Sequence, residues 1–134
     1  NIRISRWNKK NLNNFFDSVL KFVDICFLSG EDMSYWKNKN GIKSYEQIVR
    51  KYKIKHSIFR KNAKFTYVFL NKNKYVFKNK LLKKVVDTSG AGDGFNAAYL
   101  SNFIVNNDPV LALKAGSTLG SKIVMKKGAI VDVK

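Results

Sequence analysis

Asp87-Thr88-Ser89-Gly90-Ala91-Gly92-Asp93-Gly94-Phe95 is the stretch whose reading decides the fold. Three glycines and an alanine surround one carboxylate, and a long apolar segment runs on from Ala91 to Val105. Small residues let a backbone approach a ligand, and glycine makes turns closed to other residues. At a helix start, successive amides of Gly90, Ala91 and Gly92 would point at one spot. Free N–H groups and the helix dipole favour an anion there. Asp93 at the end of such a cradle is unfavourable for plain anion binding, because like charges repel. It suits a carboxylate that accepts a proton from an attacking hydroxyl. The alternative is a glycine-rich turn with Asp93 as an ordinary first-turn helix residue, and spacing alone leaves both open. No Gly-Lys-Ser/Thr follows, so the loop is not of the Walker type, and the dinucleotide fingerprint spacing is absent.

Downstream, Asp108-Pro109 supplies a cap and a first helical residue, and the spacing predicts a helix to about Met125. Gly128 is expected to end it, with Ala129 to Val133 a short terminal strand or tail. Upstream, Phe65 to Leu70 and Tyr75 to Phe77 flank Asn71-Lys72-Asn73-Lys74 and predict a hairpin with a four-residue loop. His56 to Arg60 reads as a short strand, with His56 at a loop or strand edge. Ser44 to Tyr52 reads as a helix, with Ser44 and Gln47 forming a capping box. Val23 to Leu28 is a buried strand by its branched and aromatic content. Ser29 or Gly30 then caps a short helix into Trp36, and Asn38 to Gly41 is a polar turn. Leu12, Phe15, Phe16, Val19 and Phe22 have helical spacing. Strands and helices alternating in this way predict an α/β layered domain with a mostly parallel sheet and a β-hairpin. A few short parallel strands bury little by themselves, so the chain reads as part of a larger fold.

The chain has 134 residues, 45% of them hydrophobic, which is enough for a packed core. No apolar run reaches membrane-spanning length. A lone cysteine, Cys26, lies in an apolar run and is expected to be a buried, inert thiol. Lys and Arg number 26 against 9 Asp and Glu, a formal +17. Such a charge would ordinarily suggest nucleic acid or an anionic surface. Here the cations are mostly scattered Lys, with Arg only at positions 3, 6, 50 and 60. Nucleic-acid readers favour Arg for its planar fork. With Asn abundant as well, a solvated surface from an A/T-rich coding sequence is preferred, with attraction of an anionic small substrate as the remaining functional reading.

The stretch from Asp87 to Phe95 closely resembles the second signature of the ribokinase (PfkB) family of carbohydrate kinases. Asn1-Ile2-Arg3-Ile4-Ser5-Arg6-Trp7 is similar to the family's N-x-R-x-x-L-W stretch, Asp24 to Asp32 to the strand entering its N-x-x-E region, and Gly128-Ala129 to its late Gly-Ala. Within the family, Arg3, Trp7 and Phe27-Leu28-Ser29 look most like 2-keto-3-deoxygluconate kinases. The resemblance implies that residues 1–134 are the C-terminal half of a ribokinase-like kinase domain, without its N-terminal half and lid. It implies an ATP- and Mg²⁺-dependent cytoplasmic kinase that phosphorylates a sugar acid. Asp93 would be the base, Gly90, Ala91 and Gly92 the anion hole, and Arg3 the partner of the acidic sugar. Ser29, Arg60, Asn62 and Ser117 would lie along the ATP site, with Glu31 or Asp32 at the water shell of Mg²⁺. Each has a plainer alternative: surface cation for Arg3, capping or packing for Ser29 and Ser117, helix-start charge for Glu31 and Asp32. Where the family's nucleotide loop reads Lys-x-Gly-x-x-Gly, Arg60-Lys61-Asn62-Ala63-Lys64-Phe65 replaces both glycines, which predicts an altered loop. Another sugar or nucleoside kinase of the family, and an inactive remnant or basic binding module, remain alternatives. Membrane association is not expected, and association with copies of itself is left open for a longer protein.

Overall fold

The computed structural model describes residues 9–132, apart from the side chains of 9, 10, 13 and 37–40. Arg3 and Trp7 lie outside the described residues. The chain divides into two compact units, one ending at Val76 and the other starting at Phe77.

The first described element of the first unit is α1 (Lys9–Val19), continued by a 3-10 turn, Leu20–Phe22. Strand β1 (Ile25–Ser29) leads into α2 (Gly30–Asn40) and α3 (Tyr45–Lys51), then β2 (His56–Arg60), β3 (Phe65–Leu70) and β4 (Asn73–Lys78), whose last two residues fall past the division at Val76. The sheet order is β1-β2-β3-β4. Strands β1 and β2 are parallel, joined through α2 and α3; β2 and β3 are antiparallel. The sheet is thus mixed, because connections as short as 61–64 and 71–72 can only reverse the chain, whereas a parallel return needs a crossover.

Strand β2 is flanked on both sides, and its residues 56–59 are all buried. His56 therefore differs from its expected loop or edge position: it pairs with Ile25 on one side and Leu70 on the other. Burial lowers the pKa of its imidazole. On one sheet face, Leu28, Cys26 and Phe59 join Trp36, Tyr45, Ile48 and Tyr52 in a single apolar cluster. Burial pushes the Cys26 thiol up to about 11, as an inert thiol requires. Asp17 of α1 clasps the end of α3. It accepts from the Tyr52 hydroxyl at 2.6 Å and from Lys51 Nζ at 3.0 Å. Those two donors hold its carboxyl below its ordinary range, Tyr52 foremost.

Two local expectations are corrected. Helix α2 does not stop at Trp36 but continues through Asn40, because the first residue suited to end it is Gly41, which takes a left-handed conformation (φ 63°). The hairpin loop is Asn71-Lys72 rather than four residues, because Asn71 accepts φ 57° and lets pairing resume at Asn73.

In the second unit, α4 (Ala91–Asn106) and α5 (Pro109–Ile123) form an antiparallel pair. Phe95 and Tyr99 of α4 are buried with Ala112, Leu113 and Ile123 of α5. Asp108 caps α5 as expected: its Oδ1 accepts from the N–H of Val110 (2.7 Å) and Leu111 (3.1 Å), with Pro109 as the first helical residue. The segment 129–132 forms no strand and is a tail. Among the described residues, no helix is long and apolar enough to cross a membrane.

Candidate active site

In the first unit, parallel pairing sets Ser29 beside Arg60 where β1 and β2 end. The carboxyl ends of parallel strands are where open α/β sheets bind ligands. Ser29 is the cap of α2. Its Oγ accepts from the Asp32 N–H at 3.3 Å, while Asp32 Oδ2 accepts from the Ser29 N–H and Oγ–H, each at 2.8 Å. This is a full reciprocal cap, predicted in position though not in its use of Asp32. Asp32 is 4% exposed, whereas Glu31 faces solvent in the same turn. Among the described residues, no three His, Cys, Asp or Glu side chains gather as a metal site.

Gly30 fits this turn for a packing reason. A Cβ there would stand 2.5 Å from the Lys61 carbonyl oxygen. The loop after β2 therefore rests on the start of α2. That loop lacks the two glycines expected from the resemblance and needs neither. Asn62 Oδ1 accepts from the N–H of Lys64 (2.9 Å) and Phe65 (3.0 Å), an Asx turn that closes the bend. Neither Asn62 nor Phe65 has positive φ. The altered sequence gives a closed loop by side-chain hydrogen bonding where glycine would have used backbone freedom.

In the second unit, Gly90 caps α4 in a left-handed conformation (φ 73°). A Cβ there would also collide with the Ala129 carbonyl oxygen. The three cradle amides are not equivalent. Ala91 N–H donates to the Thr88 carbonyl at 3.3 Å, and the helical ladder begins only with Gly94 N–H to the Gly90 carbonyl at 2.9 Å. The amides of Gly92 and Asp93 therefore precede the ladder. The Asp93 side chain is exposed on that first turn.

The sequence reading missed the group that holds this loop. Asp87 Oδ1 accepts from the Ser89 N–H at 2.8 Å, and Oδ2 from the Gly128 N–H at 2.9 Å. Those two backbone donors lower its carboxyl pKa, Ser89 first. Val86 and Asp87 N–H groups both donate to the Val124 carbonyl, at 2.8 and 3.3 Å. Asp87 stands two residues before Ser89, a spacing that signals an Asx turn, but nothing local signals Gly128. Ser117, on α5, donates its hydroxyl to Asn79 Oδ1 at 2.9 Å. Ser29, Glu31, Asp32, Arg60 and Asn62 thus share the first unit, and Gly90, Ala91, Gly92, Asp93 and Ser117 the second.

Comparison with known proteins gives this geometry a context. The chain is 26% identical over 136 residues to a 2-dehydro-3-deoxygluconokinase from Haemophilus influenzae, an overlap of 98% of this chain and 43% of that protein. An Escherichia coli protein of the same name is 26% identical over 135 residues, covering 98% and 44%. Among solved structures, a fructokinase from Vibrio cholerae O395 with fructose, ADP and calcium ion superposes with TM-score 0.81 at 22% identity, over 98% of this chain and 45% of that one. An aminoimidazole riboside kinase from Salmonella enterica, complexed with aminoimidazole riboside and an ATP analogue, gives 0.81 at 20%, over 100% and 47%. The chain spans less than half the length of these proteins, and the solved structures share its ribokinase-like fold. A model of the family described as pfkB family carbohydrate kinase matches residues 2–134, and the chain belongs to that family.

Proposed function

We propose that the protein to which these residues belong transfers the γ-phosphoryl group of ATP to a hydroxyl of a sugar acid, 2-keto-3-deoxygluconate, giving its 6-phosphate. The observation that carries the reading is the opening of α4, where a left-handed Gly90 precedes amides outside the helical ladder and Asp93 stands exposed on the first turn. Two relatives named 2-dehydro-3-deoxygluconokinase support the substrate.

Asp93 accepts the proton of the substrate hydroxyl as its oxygen attacks the γ-phosphorus. The bond from that phosphorus to the β-phosphate oxygen breaks, and ADP leaves. The N–H groups of Gly90 and Gly92 face the charge that spreads over the moving phosphoryl oxygens. Ala91 N–H joins them by exchanging its long bond to Thr88 for a phosphoryl oxygen. Ser29, Arg60, Asn62 and Ser117 line the nucleotide path, and Arg3 pairs with the sugar carboxylate.

Mg²⁺ keeps several waters and takes only one or two protein carboxylates. Glu31, exposed beside Ser29, fits such a water shell. Asp32 fits less well, since it is buried and its Oδ2 is committed to Ser29. Bound there, the ion would neutralise phosphate charge; Asp32 holds the turn that presents Glu31.

The test is phosphoryl transfer in the full-length protein with 2-keto-3-deoxygluconate, fructose, ribose and adenosine as acceptors. Asp93→Asn is expected to lower kcat by about 10²–10⁴-fold with ATP affinity nearly unchanged; turnover within a few-fold of the parent would remove Asp93 from this role. Arg3→Ala is expected to raise KM for the sugar acid far more than for fructose. Preference of the parent for a neutral sugar or a nucleoside would replace the substrate within the same family.

A further inference from the structure

We propose that a groove in the first unit, between α3 and the β3–β4 hairpin, is a binding site for a planar aromatic anion such as an aromatic carboxylate. The groove holds about 500 Å³, within the range of small-molecule sites. Its lining includes neither Ser29 nor Arg60 nor Asn62, so the inference does not depend on the kinase reading.

The wall is aromatic because of strand register. Phe59 pairs with Tyr67, and Ser57 with Phe69, which puts Phe59, Tyr67 and Phe69 on one face. Tyr45 stacks on Phe59 at 4.4 Å between ring centroids and tilts against Phe69 at 5.3 Å. Tyr45 and Phe59 are buried, while Tyr67 and Phe69 are half-buried and keep ring surface open. A flat ligand would find a stacking surface there.

Charge selects the sign of the ligand. Lys43, Lys61 and Lys74 line the groove against a single carboxylate, Glu46. Lys74 Nζ lies 5.0 Å over the Tyr67 ring and 5.3 Å over the Phe69 ring, and 2.8 Å from Glu46 Oε1. An entering carboxylate would compete with Glu46 for Lys74, with the exposed Lys43 and Lys61 beside it. Lys61 also begins the loop closed by Asn62, so an occupant would touch that loop from outside.

The experiment is amide-shift NMR on the isotope-labelled full-length protein, titrated with naphthoate and with its neutral counterpart naphthamide. Naphthoate is expected to shift the amides of 43–46 and 67–69 saturably and to bind about 5-fold more tightly than naphthamide, the discrimination available from an exposed ion pair. Lys74→Met should weaken naphthoate about 3-fold, and Glu46→Gln should tighten it about 2-fold by removing the competitor. Both substitutions are at exposed or half-exposed positions, and circular dichroism checks that the fold persists. Equal binding of the two probes, shifts centred elsewhere, no saturation by about 10 mM, or no tightening in Glu46→Gln would overturn the proposal.

Discussion

Two constraints meet at Gly90: a left-handed backbone and the Ala129 carbonyl where a Cβ would stand. Gly90→Ala is expected to cost about 1–3 kcal/mol, read as a lower urea midpoint for the second unit. Asp87 acts by a different route, since its carboxylate holds two amides rather than a torsion. Asp87→Ala should leave helix content unchanged and speed hydrogen exchange at Ser89 and Gly128. The glycine cluster was legible because three glycines and an alanine around a carboxylate stand out in any sequence. The role of Asp87 was not, because its second partner is 41 residues further on and follows no local pattern.

Among elements, helix starts were the most legible features, because a cap is a contact between near neighbours. Ser44 with Gln47 was predicted, and Gln47 Oε1 accepts from the N–H of Lys43 (2.6 Å) and Ser44 (3.3 Å). At α2, Ser29→Ala removes the hydroxyl that accepts from Asp32 N–H and is expected to cost about 1 kcal/mol, measured by urea unfolding. Full activity with unchanged ATP affinity in that variant would confine Ser29 to capping. Turn lengths were less legible. The four-residue hairpin loop followed from a polar run, but Asn71 and Lys72 alone make the reversal. The loop after β2 is the reverse case: lost glycines suggested an altered loop, and the Asn62 side chain supplies its closure. Asn62→Ala should therefore speed exchange at the Lys64 and Phe65 amides.

Over the whole molecule, alternation of strands and helices was enough for the fold class, whereas the position of His56 depended on which strands flank β2. Its buried imidazole has a pKa below its ordinary 6.5, so the folded state prefers the neutral ring. Protonation then favours the unfolded chain, and its contribution is complete above pH 6.5 and is lost as pH falls towards the lower folded value. Urea midpoints are expected to drop from pH 7.5 to 5.5, a window above the range in which Asp17 and Glu46, whose carboxyl pKa values are also lowered, take up protons. His56→Gln should flatten that slope, and an unchanged slope would assign it to other groups.

The bond from Gly128 to Asp87 makes the tail a mechanical part of the glycine-rich loop. Lys126-Lys127 just before it is a natural trypsin site. A single cut after Lys127 would leave the two long helices paired but unpin the loop, so nicked protein should keep its circular dichroism and exchange its Ser89 amide faster.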